Sequence, residues 1–354
     1  MGGGGVNIIF ARCTECHDGI ILHWSTRFSG MENECNAVNF QKRFALIGAA
    51  GYIAPRHFRA VKTLGHNMIA AHDVFDSVGV IDSYFPEASF TTDFSEFMYR
   101  IRKEKADYLT VCTPNDMHCP HSIAGLEAGV DVICEKPLTL TLDELERMNM
   151  SQIETGHNIW TILQLRLHPE IVRLKKMIEE GRDDVRYDVD LAYITPRGKW
   201  YGASWKGDEK RSGGLATNIG VHFIDMLHWV FGSACEIIVH HVSHDCVAGF
   251  MDLEKARIRF FLSINPDYKP ADAGGDRMSA YRQIVINGES IDFTGGFTDL
   301  HTLSYARIID GEGFSIDQAR AAVSTLEVLR NANAMPLKGE CHPLALKLRT
   351  LKGC

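Results

Sequence analysis

From residue 43 onward the chain alternates short apolar runs with amphipathic stretches. Phe44-Ala45-Leu46-Ile47 is an apolar run that halts at Gly48, the pattern of a buried strand. Residues 68–71, 108–112, 130–134 and 159–163 repeat that pattern. Between them the apolar positions fall at helical spacing, over about 52–64, 93–104, 116–128 and 141–155. Strands that alternate with helices predict right-handed βαβ units and a parallel sheet.

Beyond residue 160 the rhythm changes. A helical stretch at 168–180 leads into an extended one at 187–195, and a second helix is predicted over 215–230. Strand-like runs follow at 235–243, 256–264 and 281–293, linked by short turns such as Asn287-Gly288, before helices at 299–310 and 317–331. Consecutive strands on short links predict an open, largely antiparallel or mixed sheet. The expected fold class is therefore α/β: a doubly wound parallel sheet over 43–160, then an α+β domain over 161–334. Residues 1–42 carry no sustained period and read as an irregular leader, and the Lys-rich tail 335–354 is left unassigned.

Composition narrows the function classes. Apolar residues make up 45% and charged residues 23%, as in ordinary globular proteins, and the formal net charge is −8. An acidic balance argues against nucleic acid as the main partner, because phosphate backbones select basic faces. No apolar run is long enough to span a bilayer, and no signal peptide is evident. Ten cysteines are scattered, with Cys112 and Cys134 in strand-like runs, which fits a reducing, cytoplasmic setting. Cys13-Thr14-Glu15-Cys16-His17 has the C-x-x-C-H spacing of haem attachment, but no export signal or distal ligand accompanies it. No metal is expected.

Candidate chemistry gathers at predicted strand ends. Gly48-Ala49-Ala50-Gly51-Tyr52-Ile53-Ala54 is a G-x-x-G-x-x-A turn between a strand and a helix. Such a turn lets the backbone approach a pyrophosphate and aims helix N–H groups at it. Asp73 ends the next strand, 25 residues after Gly48, where a carboxylate accepts from ribose hydroxyls and repels a 2′-phosphate. NAD is therefore favoured over NADP; the alternative is that Asp73 merely starts a turn. Thr113, Pro114 and Asn115 follow another strand and are expected at the nicotinamide half, with His118 one turn on as a capping or ligand-contact residue. Glu135-Lys136-Pro137 ends the strand at 130–134, which puts the Lys136 ammonium in the same crevice. Asn218, His222 and Asp225 can share one helix face.

These motifs, with Gly213-Gly214-Leu215 leading to His222 and Asp225, resemble the Gfo/Idh/MocA dehydrogenases over about residues 43 to 333. Other stretches are similar to the sugar-nucleotide branch of that family. They are Ala49 to His57, Gln164 to Pro169, Gly198 to Tyr201, Ser204 to Asp208 and Phe297 to His301. The resemblance implies a Rossmann domain followed by the open mixed sheet, with the cofactor between them. It places Lys136 and His222 at the carbon that loses hydride, and the implied oxidation of a secondary alcohol needs a proton acceptor and a hydride acceptor. His222 suits the first task by its ordinary pKa, and Lys136 either shares it or polarises the forming carbonyl. Many members carry Asp four residues before that His; here it is Asn218, which cannot take a proton and so cannot relay one. The implied cofactor contacts are Gly48, Ala50, Gly51, Tyr52, Ile53, Asp73, Thr113, Pro114, Asn115, His118, Glu135, Lys136 and Gln164. A UDP-N-acetylhexosaminuronic acid oxidised at C3 is the implied substrate, with 2-oxoglutarate recycling NADH and a homotetramer formed through the open sheet. Its negative charge would be met by Arg166, Arg197 and Lys206, with Tyr201 and Trp205 packing on a ring and Asn218 and His222 beside it. Rival readings are an inositol or simple-sugar dehydrogenase, an NAD-using glycoside-cleaving enzyme, and a nucleotide sensor without chemistry.

Overall fold

The computed structural model describes residues 41–182, 184–291 and 299–351. The expected leader up to residue 40, with its C-x-x-C-H spacing, lies outside them, as do Phe297 and Thr298.

The apolar runs become strands because each is buried on both faces. In β1 (Arg43–Ile47) the last four residues are at most 1% exposed. The first half runs β1, α1 (Ala54–Thr63), β2 (Asn67–His72), β3 (Ser89–Thr91), α2 (Phe94–Lys103), β4 (Tyr108–Val111), α3 (His118–Glu127), β5 (Asp131–Cys134), α4 (Leu142–Thr155) and β6 (Ile159–Thr161). Its strands pair in parallel in the order β3-β2-β1-β4-β5-β6. The strand order reverses direction at β1/β4. The connections after β1 and β4 therefore leave to opposite sides, and a crevice opens at the carboxyl ends of those strands.

The second half supplies α5 (Pro169–Glu180), β7 (Tyr187–Ile194), the short α6 (Trp200–Ala203) and α7 (Glu209–Ser212), and α8 (Val221–Phe231). Four strands follow: β8 (Ala234–Val242), β9 (Cys246–Leu253), β10 (Ala256–Ser263) and β11 (Tyr281–Ile286). The chain continues through β12 (Glu289–Ile291), α9 (Leu300–Ile309), β13 (Phe314–Ser315), α10 (Ile316–Asn331) and α11 (Pro343–Leu351). The second sheet is ordered β12-β11-β7-β10-β9-β8, antiparallel except where β7 lies parallel to β10. All of α8 is buried except His222 and Trp229, as expected of a helix apolar on every side and packed between the sheet, α5 and α10.

Besides the short β3, α6 and α7, which the pattern did not predict, four features depart from the sequence reading. Of the run expected at 281–293, the described part, 281–291, is a hairpin split by Asn287 and Gly288 at φ 51° and 86°. β9 was not anticipated; its Ala248 and Gly249 are weak strand formers, and burial on both faces removes the polar alternation that marks a strand. The chain also returns to the first sheet late: α9 packs on α1, and β13 pairs antiparallel with β6. Finally, the unassigned tail forms α11, whose Leu344, Ala345 and Leu348 cover Ala192, Ile194, Ala248 and Phe261 on the outer face of the second sheet.

One buried ion pair fastens α8. Arg166 Nε and Nη2 donate to the two carboxylate oxygens of Asp225 at 3.0 and 2.6 Å, and Nη2 also donates to Gln318 O at 2.7 Å. Both side chains are at most 5% exposed. Arg166 is thus spent inside the fold and is not available as a substrate cation, which corrects the expectation above. Asp225→Ala would leave an unpaired buried guanidinium. Urea unfolding should show a loss of about 3–5 kcal/mol, with much of it recovered in Arg166→Met/Asp225→Leu.

Candidate active site

The cofactor turn is built by close backbone approach. Gly48 has φ 92°, and a Cβ there would lie 2.6 Å from the Cys112 carbonyl carbon. Gly48 and Ala49 N–H donate to His72 O at 2.8 and 3.1 Å, and Gly51 N–H donates to Gly48 O at 3.0 Å. Asp73 closes the arrangement: its carboxylate accepts Ala50 N–H at 2.9 Å and Phe75 N–H at 3.0 Å. Asp73 therefore starts a turn and braces the G-x-x-G loop at once. Tyr52, Val74 and Phe75 are fully or largely exposed around this loop, and Ile53 is half-buried. The last two of the exposed three were missed by sequence reasoning. Gln164 Oε1 is buried without a hydrogen-bond partner among the described residues, an acceptor open to a ligand. These features fit a dinucleotide.

Several expected contacts have structural work instead. Thr113 Oγ1 meets His121 Nδ1 at 3.1 Å, after which Pro114 opens the next turn. Asn115 is buried and donates to Ser212 O at 2.8 Å, tying the first sheet to the segment before α8. His118 is buried between the carbonyls of Pro137 and Thr113, at 2.6 and 3.0 Å. Its ring holds two loops together and offers nothing to a cofactor, so its side chain is corrected from ligand contact to brace.

Glu135 is the hub. Its Oε1 lies 3.0 Å from His57 Nε2 and 3.1 Å from His301 Nε2, and its Oε2 accepts Lys136 N–H at 3.1 Å. Beyond it, His57 Nδ1 meets Tyr305 Oη at 2.9 Å, and Tyr305 Oη meets Thr110 Oγ1 at 2.8 Å. Among the described residues these are the one His/Glu group at metal-ligand spacing, yet both imidazole edges are already spent on the carboxylate. Glu135 is therefore committed to this cluster, not turned to a cofactor. The donors hold its carboxyl well below the usual range against the opposing effect of burial.

Lys136 and His222 come near each other beside this hub, close enough for the lysine's charge to act on the imidazole. Burial lowers the Lys136 pKa, Glu135 opposes this, and Arg56 and Arg197 reinforce it. Burial, then Lys136, hold His222 well below the ordinary histidine value. No hydrogen bond among the described residues engages the Lys136 ammonium or either His222 nitrogen. A single π-helical turn, Ala216–Gly220, leads into α8 and carries Asn218, whose Nδ2 donates to Tyr201 Oη at 2.6 Å. Next to it, Arg197, Tyr201, Lys206, His244 and Asn265 line a cavity of about 450 Å³. Arg197 is anchored on Thr195 Oγ1 at 2.8 Å, and the Lys206 ammonium sits 4.3 Å from the Trp205 ring centroid. Arg56, His57, His244, Asn265 and His301 were not singled out as site residues. Ala49 to His57 and Phe297 to His301 drew attention only as similar stretches.

Two outcomes follow from this geometry. Gly48→Ala should abolish measurable NAD binding in fluorescence titration, through collision with Cys112 and the positive φ. Separately, His57, His118 and His222 have lowered pKa values, and that of His121 falls to about 4. Below about pH 6.5 the unfolded chain takes up protons that the folded chain refuses. Stability is complete above that pH and falls as pH drops toward the folded values, by up to about 1.4 kcal/mol per pH unit for each such group. Melting temperatures measured from pH 8 to pH 5 check this.

Comparison with known proteins agrees with this architecture. Residues 42–161 match the oxidoreductase family NAD-binding Rossmann fold, and residues 175–261 match the oxidoreductase family C-terminal alpha/beta domain. The WlbA (WbpB) dehydrogenase of Thermus thermophilus, solved with NAD and alpha-ketoglutarate, is 42% identical with a TM-score of 0.82, covering 86% of this chain and 99% of that one. The same enzyme solved with NAD and UDP-GlcNAcA is 41% identical at TM-score 0.81 over the same shares. Among curated relatives, the putative oxidoreductase YteT of Bacillus subtilis is 28% identical, over 42% of this chain and 36% of its own. Inositol 2-dehydrogenase of Rhizobium meliloti is 28% identical over 54% and 55%. The match thus spans about a third to a half of those two relatives. With both domain models placed in order and a solved relative covered almost end to end, the chain belongs to the Gfo/Idh/MocA oxidoreductase family.

Proposed function

We propose that this protein is an NAD-dependent dehydrogenase that oxidises the C3 hydroxyl of a UDP-N-acetylhexosaminuronic acid to the 3-keto sugar, with 2-oxoglutarate able to reoxidise the reduced cofactor. The observation that carries the reading is that Lys136 and His222, two titratable groups with no hydrogen bond to their side-chain nitrogens among the described residues, lie near enough for the lysine's charge to act on the histidine, while Arg197 and Lys206 of the neighbouring cavity act on or feel the same lysine. The likeness to the Thermus enzyme, over 99% of that chain, supports the choice of ligands.

NAD would be held by the Gly48–Ala54 turn and Asp73, and when bound it supplies the hydride acceptor. His222 is uncharged at neutral pH, because burial and the nearby ammonium disfavour its protonation. It is placed to take the hydroxyl proton. Lys136 donates a hydrogen bond to the oxygen that becomes the carbonyl. Asn218 fixes Tyr201 at the cavity wall and cannot relay a proton. Arg197 and Lys206, with Arg56 across the cleft, meet the carboxylate and diphosphate charges. Trp205 offers a flat apolar face and keeps Lys206 in place.

Incubation with UDP-N-acetylglucosaminuronic acid and NAD, with and without 2-oxoglutarate, should yield a product two mass units lighter. Lys136→Ala and His222→Ala should each lower kcat by about 10²–10⁴ while NAD stays bound. No conversion with NAD still bound would reject this substrate and direct the search to inositols and simple sugars. A cleaved sugar without net NADH would mean the glycoside-cleaving reading.

A further inference from the structure

We propose that His57 and His301 are positioning residues, which clamp the Glu135 carboxylate against the backbone of Lys136 and so fix an anion behind the catalytic lysine. This rests on the reading of Lys136 as the group that meets the substrate oxygen.

Hydrogen-bond polarity leads to it. Glu135 Oε1 receives two imidazole nitrogens, and Oε2 receives the Lys136 amide. With the carboxyl ionised and both Nε2 atoms carrying hydrogen, all three contacts are made together. Burial keeps His57 neutral, so its Nδ1 is then the acceptor for Tyr305 Oη, and Tyr305 Oη takes its own hydrogen bond from Thr110 Oγ1. In this arrangement the tautomer of His57 is held by residues on β4 and α9. The clamp has no local origin. His57 stands on α1, Glu135 at the end of β5, and His301 on α9, 166 residues from its partner. A cluster serving packing alone would use apolar side chains here, since burying a carboxylate is costly unless donors surround it.

The anion has a specific task at this position. Lys136 is opposed by cations, Arg56 from α1 and Arg197 and Lys206 from the segment between β7 and α8; the imidazoles of His222 on α8 and His118 on α3 also face it, with pKa values lowered by burial first and then by the ammonium, so that they stay neutral. Besides its histidine partners and Lys136, Glu135 is faced by Cys112, Cys134 and Tyr305, whose protons burial retains. Among the described residues Glu135 is the anion that acts on Lys136. It sustains the positive charge with which the lysine polarises the substrate oxygen.

The test compares pH profiles of kcat for wild type, Glu135→Gln, His301→Leu and His301→Gln, with the Lys136 ionisation read separately by pH-dependent amine labelling and peptide mass mapping. Glu135→Gln should move the alkaline limb, and the labelling midpoint, to lower pH by about one unit. His301→Leu should move both in the same direction by less and lower kcat about tenfold, with the KM for NAD within twofold. His301→Gln, which can place an N–H near the lost Nε2, should restore most of both. If His301→Leu does not fold, His301→Asn carries the comparison, since its shorter arm falls away from Oε1. Profiles and midpoints that superimpose on wild type would overturn the proposal, as would a Gln variant no better than Leu. Full activity in Lys136→Met would instead remove the reading of Lys136 on which the proposal rests. An inactive Lys136→Met beside unshifted His301 variants would reject the clamp alone.

Discussion

A carboxylate buried at the end of a parallel strand has to find its donors from elsewhere in the chain. Glu135 finds them on α1, on α9 and in the next peptide unit. That requirement ties the cofactor turn, the strand end bearing Lys136 and a helix from the last third of the molecule to one point. It also accounts for the late return of α9 to the first sheet, where it packs on α1. The neighbouring brace of His118 between Thr113 and Pro137 works in the same way, holding two strand-end loops in fixed relation.

Around this hub the electrostatics are lopsided. Arg56, Lys136, Arg197 and Lys206 act on one cleft, and among the described residues Glu135 is the anion that answers Lys136. Crowded cations raise the cost of protonating His222, which keeps it a neutral acceptor, and they favour an anionic ligand. The buried pair of Arg166 and Asp225 belongs to a different economy. It is buried and ties α8, which carries His222, to the segment before α5 and to the start of α10.

Both periodicities were readable along the chain. Apolar runs of β1, β4 and β5 are continuous because they are buried on both faces, and turns such as Asn287-Gly288 announce themselves by residue type. The positions of the glycine turn, Asp73, Lys136 and His222 at strand and helix ends were legible for a similar reason, because local pattern predicts where strands and helices end. β9 and α11 were not, because each owes its form to the partner it covers, and neither pattern shows that partner.

The amino-acid order by itself therefore determined the βαβ series, the dinucleotide turn and the presence of a lysine and a histidine suited to alcohol oxidation. Only the tertiary structure decided which charged side chains face the cleft and which are spent within the fold. Arg166, a plausible ligand by residue type, is consumed by Asp225, while His57 and His301, unremarkable in their own segments, converge on Glu135. The physical reason is that local spacing constrains neighbours within a turn or a strand. A buried charge, in contrast, is satisfied by whatever donors the folded chain brings within about 3 Å, at any separation in sequence.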